Sequence, residues 1–436
     1  MSRVAETLQR LAASLAKDRV DEVELYVKSG LSHRFEREGD RTIETRSEEC
    51  GWAVRGSGAP GAFFTCGTGS PVEFRWSGPF GAPIGLPRAH DRRDRQEIPA
   101  EAPAPLLAES EASAFAAALE GSLREVRPRA RLQRVVLDDG AAEARLVSTL
   151  GMDRSYDSRL ASLYVETVEG DASRSSLFLG RAAKELDPRS LGGRFGTALE
   201  LAHEGRPGSL GPGTAVLAPA VGVRLLAGVL PWLVGAEAAA RYRAQASKGT
   251  WGSSLLTIVD DGARKGSPLA APFDGEGVET EERILVESGR YRQPLVSWRE
   301  TDRRVGRASG CMVRPSWKEP PELAPTQLFV RPDPGTSPAD LVESLDRGFY
   351  ALDPLGAGRF DLVEGRFELA VAGFRIRSGR AVETVSRAPL AGRIDSLWSA
   401  LRAVARDLEF HPMGCLLGTP TLAFEASSLD AEAAAG

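Results

Sequence analysis

The chain has 436 residues, 42% hydrophobic and 26% charged, with a formal net charge of −5 and a pI near 5.7. That length allows two or three domains. The acidic balance excludes non-specific nucleic-acid binding, which needs a basic face to displace counterions. Cys50, Cys66, Cys311 and Cys415 are scattered without a CxxC pair, which excludes a disulfide framework in a chain of this size.

Residues 4–16 carry Val4, Leu8, Leu11 and Leu15 on one stripe and predict a helix. The segment mixes acids and bases and lacks the apolar stretch and cleavage site of a signal peptide. Residues 22–28, 32–37, 41–46, 50–55 and 61–66 alternate like short strands, with turn signals at Gly39-Asp40 and 56–61. Residues 80–105, rich in Pro, Gly and Arg, predict a linker or long loop. A second helix is expected over 106–126, then strands over 132–137, 144–149, 153–157, 160–168 and 175–179. Asp187 predicts the N-cap of a helix over 190–204, which Gly205 and Pro207 stop.

The GSLGPG run at 208–213 reads as a domain boundary. A strand over 215–217 and a helix over 221–243, kinked at Pro231, follow it. The run 215–234 is apolar but broken by Pro219, Arg224, Gly228 and Pro231, whereas a membrane span wants about 20 clean apolar residues. The expected protein is cytoplasmic and does not engage membranes. Residues 251–289 join a strand (255–261), a punctuated turn, the block Phe273-Asp274-Gly275-Glu276-Gly277 and a strand (282–287) closed by Ser288-Gly289. Beyond them come helices over 295–304, 338–346 (capped by Ser337) and 394–408. Coil is expected over 306–325, and strands over 327–331, 348–351, 359–363, 367–376, 380–385 and 421–426. The resulting expectation is an α+β protein: an N-terminal α/β layered domain with an antiparallel or mixed sheet, then a β-rich C-terminal domain with a few helices. The expected divisions are 1–80 (N-terminal α+β part), 81–105 (linker or loop), 106–210 (remainder of the N-terminal domain) and 211–436 (C-terminal domain).

The four histidines are His33, His90, His203 and His411. A zincin motif needs two His on one helical face beside a Glu. His203-Glu204 has no second His and runs into a helix stop, so it reads as a helix-end histidine meeting the dipole. His411 and Cys415 are spaced as two ligands could be, but Pro412 and Gly414 favour an ordinary turn. No nucleophile elbow, P-loop or dinucleotide fingerprint occurs. Cys311 has no neighbour that would lower its pKa and reads as inert. The pairs Asp260/Asp261 and Asp274/Glu276 fit either acid/base chemistry or a hard-cation site. They equally fit turn chemistry, in which carboxylates accept backbone N–H bonds while Gly275 and Gly277 supply positive φ.

Several segments together resemble the TldD/PmbA family, once described as modulators of DNA gyrase and understood as peptidase subunits. They are Ser148-Thr149-Leu150-Gly151, Ala215-Val216-Leu217-Ala218-Pro219, Leu256-Thr257-Ile258-Val259-Asp260-Asp261, Phe273 to Gly277, Glu287-Ser288-Gly289 and Gly306-Arg307-Ala308-Ser309-Gly310. The resemblance implies two kinds of chain. The catalytic kind carries His-Glu-x-x-x-His on the helix after the 215–217 strand, and two His with a downstream Cys hold zinc. Here those positions fall at Leu226, Ala227 and Pro231, and no His occurs between 219 and 250. The chain therefore resembles the PmbA (TldE) kind, which implies no catalytic residue and no metal or cofactor of its own, with zinc expected in a TldD-like catalytic partner subunit. The same resemblance makes Asp260, Asp261, Asp274 and Glu276 candidates to line a chamber for unfolded peptides, with Gly275 and Gly277 as structural glycines. The alternatives are a homodimeric peptide-binding scaffold and a stand-alone hydrolase using those acids.

Overall fold

The computed structural model describes residues 3–71, 76–82, 85–88, 106–245, 250–300 and 310–429. The N-terminal half runs α1 (Arg3–Leu15), β1 (Val20–Glu38), β2 (Arg41–Gly58), β3 (Gly61–Gly67), α2 (Glu109–Val126), β4 (Arg131–Ser148), β5 (Asp153–Glu169), β6 (Ala172–Gly180) and α3 (Pro188–Glu204). All six strands form one antiparallel sheet in the order β3-β2-β1-β4-β5-β6. Successive side chains in a strand point to opposite faces, so each long strand serves two layers. One face carries Val23 and Leu25 against Leu8, Leu11 and Leu15 of α1. Further along, Phe35, Leu137 and Leu163 meet Leu119 and Leu123 of α2 and Leu199 of α3. The other face carries Glu24, Tyr26, Lys28 and Gly30 and looks toward the C-terminal half. Asp187 caps α3 as expected, accepting from Arg189 N–H at 3.1 Å.

The sequence reading cut β1, β2, β4 and β5 into two pieces each. The breaks fall near Gly30, over 47–49, near Gly140 and at Ser158-Arg159, where small or polar residues look like turns. In the folded chain Gly30 pairs with Ala142, and Gly140 with Ser32, so the ladder runs through. At Gly30 a Cβ would sit 3.0 Å from the Ala141 carbonyl oxygen, a tight contact that the glycine relieves.

The C-terminal half runs β7 (Arg206–Pro207), β8 (Thr214–Leu217), α4 (Pro219–Gly228), α5 (Ala236–Gln245), β9 (Ile258–Asp261), β10 (Glu282–Glu287), β11 (Arg290–Tyr291), β12 (Met312–Val313), β13 (Glu322–Leu323) and β14 (Gln327–Val330). It continues through α6 (Pro338–Glu343), β15 (Arg347–Pro354), β16 (Arg359–Asp361), β17 (Arg366–Arg377), β18 (Arg380–Arg393), α7 (Ile394–Leu397), β19 (Leu401–Val404), β20 (Glu409–Pro412), β21 (Leu416–Thr419) and β22 (Leu422–Glu425). Two mixed sheets, β11-β10-β9-β14-β21-β20 and β19-β22-β8-β15-β17-β18-β7, enclose an apolar core with α4. The α+β architecture and strand-rich C-terminal region agree with expectation. No helix among the described residues is long and apolar enough to cross a membrane.

Three helical expectations need correction. The segment expected as a helix over 394–408 makes one helical turn and a 3₁₀ turn (Trp398–Ala400), then becomes β19. Its apolar residues fall at helical spacing, but Leu401 and Val404 are buried by pairing with β22. The helix expected over 295–304 is extended at Leu295, which bridges Val234, and makes only a 3₁₀ turn at Trp298–Glu300; 301–304 lie outside the described residues. Ser337 occupies the N-cap of α6 but makes no side-chain cap bond, and the helix ends at Glu343. The helix expected over 221–243 divides at Pro231 into α4, a 3₁₀ turn (Leu230–Trp232) and α5, as its kink signal implied. Within 80–105 only 80–82 and 85–88 are described, so the linker expectation falls mostly outside the described residues.

Candidate functional site

The even-numbered face of β1 and its neighbours meets C-terminal loops across a cleft of about 560 Å³. Tyr26, Lys28, Gly30, Glu49, Ala142 and Tyr156 border it from the sheet, and Phe273, Asp274, Arg314 and Thr326 from the loops. Tyr156 and Phe273 stack edge to face with centroids 5.1 Å apart, fixing the seam between the two halves.

Beside the cleft lies a buried charge network. Glu24 and Arg55 are directly opposite in the β1–β2 register. Arg55 donates to both Glu24 oxygens, at 2.9 and 2.5 Å, and to Glu276 at 2.5 Å. Glu276 also accepts from Arg299 at 2.6 Å and from the Trp298 indole at 2.6 Å. Arg314 donates to Glu24 at 2.8 Å and lies over the Tyr26 ring. The side chains of Arg55, Glu24 and Glu276 are 4%, 2% and 0% exposed, so little solvent screens them. Burial opposes the charged form of Glu276, but Arg55 and Arg299 outweigh it and hold the carboxyl below its usual range. Sequence reasoning missed Glu24, Arg55 and Arg314. Each sits in a strand or coil with no local motif, and only the long-range register brings them together.

Of the sequence-predicted acids, Glu276 belongs to this network, and the three aspartates accept from backbone N–H groups. Asp274 accepts from the N–H groups of Glu276, Val278 and Met312 at 2.9, 2.9 and 3.0 Å. Asp260 accepts from Thr326 and Gln327 N–H at 3.0 and 2.9 Å, and Asp261 accepts from Ala263 N–H at 3.1 Å. Asp274 borders the cleft; Asp260, Asp261 and Glu276 do not. The bonds from Glu276 and Val278 to Asp274 and from Ala263 to Asp261 are local turn contacts, whereas Met312, Thr326 and Gln327 reach their aspartates from distant segments. Gly277 has φ +79°, as expected, but Gly275 does not have a positive φ. Gly275 is needed for another reason: a Cβ there would sit 2.6 Å from the Met312 carbonyl oxygen.

Burial pushes Asp260 and Asp274 up to about 7, against the pull of their backbone hydrogen bonds. Their folded values exceed the ordinary aspartate value of 3.8, so the native state holds protons that the unfolded chain releases. Stability from this source is present at low pH and lost as pH rises through 7. Thermal melts should show a fall from pH 5 to pH 8, and Asp260→Asn should flatten part of it. An unchanged slope in that variant would remove Asp260 as the cause.

On α4, Leu226 is fully buried in the C-terminal core, Ala227 packs against that core, and Pro231 is exposed in the 3₁₀ turn. Facing α4, the β20–β21 hairpin holds His411 in β20 and Met413 and Cys415 in its turn, and Arg224 Nη1 lies 3.0 Å from Met413 Sδ. Burial, then Arg194 and Arg224, lower His411 to about 4, while burial and Asp260 raise Cys415 to about 12. Among the described residues no three His, Cys, Asp or Glu side chains are grouped to hold a metal. His203, in the last turn of α3, donates to the Glu169 carbonyl at 2.8 Å, and His33 is buried in β1 with Nδ1 at the Leu107 carbonyl. His90 lies outside the described residues.

Two halves of this topology, one sheet backed by helices and one pair of mixed sheets around α4, define a class of two-part α+β proteins. Residues 211–429 match the family model for the PmbA/TldA metallopeptidase C-terminal domain, half of the chain. The chain belongs to the TldD/PmbA family. A TldD homologue described as a metalloprotease from Buchnera aphidicola subsp. Schizaphis graminum is 26% identical over 162 residues, 36% of this chain and 32% of that one. A metalloprotease PmbA homologue from Haemophilus influenzae is 26% identical over 144 residues, 32% and 29% of the two chains. The chain thus spans about a third of the length of the curated relatives it matches. The structure of TldE from Thermococcus kodakarensis superposes with a TM-score of 0.80 at 17% identity, covering 96% of this chain and 98% of that one. A candidate modulator of a DNA gyrase from Thermotoga maritima gives 0.75 at 17% identity, covering 97% and 99%. At such identities the likeness shows the fold.

Proposed function

We propose that this chain is a non-catalytic, PmbA/TldE-like subunit of a cytoplasmic zinc metallopeptidase that pairs with a TldD-like chain and processes unfolded peptides. Membership of a metalloprotease-like family supports the class of activity. One observation carries the non-catalytic assignment. The helix after β8 and the 3₁₀ turn that follows it hold Leu226, Ala227 and Pro231 where a catalytic chain would hold His, Glu and His, and Leu226 is buried among apolar neighbours. A buried leucine can neither ligate zinc nor move a proton, so the water-activating step belongs to the other chain. An obligate pairing would bury more than about 2,000 Å². Co-expression with a chain from the same genome carrying His-Glu-x-x-x-His tests the pairing: a stable heteromeric complex is expected, and two separately eluting monomers would contradict it.

A further inference from the structure

The cleft has hydrogen-bonding capacity that the described chain does not satisfy. Arg314 is 2% exposed and borders the cleft. Its Nη2 donates to Glu24 and to the Gly275 carbonyl, and its Nε donates to the same carbonyl. Its Nη1 is buried with no partner among the described residues. A buried donor without an acceptor is costly, which marks a place where a ligand acceptor would gain.

Lys28 lies on the same face of β1 as Tyr26, borders the cleft and forms no ion pair among the described residues. The acids of the cleft are mostly engaged. Glu49 accepts from the Trp317 indole and lies near Lys318, Asp138 pairs with Arg34, and Asp274 is held by backbone N–H groups. Glu322, exposed, also lines the cleft and forms no ion pair among the described residues. Lys28, half-buried in the sheet, is thus the cation of the cleft without an ion-pair partner among the described residues.

The floor sets the shape of the ligand. Two cross-strand rows of mostly small residues run over it: Glu49–Gly30–Ala142–Ser158 and Ser47–Ser32–Gly140–Leu160. Three inter-strand steps of about 4.8 Å give about 14 Å of open floor, room for about four residues of extended chain at about 3.3 Å each. We propose that the cleft binds the C-terminal end of a short extended peptide, with Arg314 Nη1 and the Lys28 ammonium holding its terminal carboxylate. A guanidinium suits a planar carboxylate, and Lys28 adds a mobile point charge. The proposal goes beyond the function proposed above, because the lone chain suffices for it.

Calorimetric titration of the purified chain with tetra-alanine, its C-terminal amide and inorganic phosphate tests the proposal. The free acid should bind at least about tenfold tighter than the amide, the worth of one charge-assisted bond. Lys28→Met, at a partly exposed position, should weaken the acid about tenfold while leaving the melting temperature unchanged. Ala142→Phe, which fills the floor, should block the acid. Equal affinity for acid and amide, phosphate binding as tight as the peptide, no binding of any probe, or an unaffected Lys28→Met variant would each overturn it. None of those results bears on whether the chain assembles with a catalytic partner, so the two readings fail separately.

Discussion

Replacing Arg55 with Met is expected to cost about 3–5 kcal/mol of folding stability, the usual penalty for removing one member of a buried ion network. Arg55 is the shared donor to Glu24 on β1 and Glu276 in the C-terminal half. Without it Glu24 keeps Arg314, and Glu276 keeps Arg299 and Trp298, but both carboxylates stay buried with a bond missing. Because the network joins the two halves, the loss should also weaken the seam at Tyr156 and Phe273. Urea unfolding followed by tryptophan fluorescence measures the effect. A loss below about 1 kcal/mol, the range of exposed pairs, would mean that the network is solvated in solution.

Leu226→His should destabilise the chain by about 2–5 kcal/mol and should not create a zinc site. Two terms add: lost apolar burial at a fully buried position, and a polar imidazole placed in an apolar cluster. A second ligand would also be missing, since Pro231 occupies the other histidine position and stands exposed. Denaturation and metal analysis of the purified variant check both parts. A stable variant that retains stoichiometric zinc would show that the helix still faces a usable metal pocket.

The legibility of this fold followed the range of the forces involved. The stripe Leu8, Leu11, Leu15 and the Asp187 cap are local, and both marked their helices correctly. Strand lengths were harder to read, because Gly30 and Gly140 resemble turn residues while the ladder runs unbroken through both of them. The failure at 394–408 has the same origin: helical spacing of Trp398, Leu401 and Val404 was overridden by pairing with β22, a tertiary effect. The acidic glycine block was visible as a feature, and its competing readings could be weighed, but its partners could not be seen. Arg55 and Glu276 are 221 residues apart in sequence, and no local pattern announces their contact. The missing histidines, by contrast, required only the sequence and the position of one helix.

Reconstitution tests the central claim most directly. The chain, purified alone and in complex with the His-Glu-x-x-x-His chain of the same genome, should be assayed on an unfolded peptide with zinc counted in each sample. The account predicts an inactive, zinc-free lone chain and a complex that cuts peptide with zinc carried by the partner. Peptide hydrolysis by the lone chain, or a mixture that neither assembles nor gains activity, would contradict it.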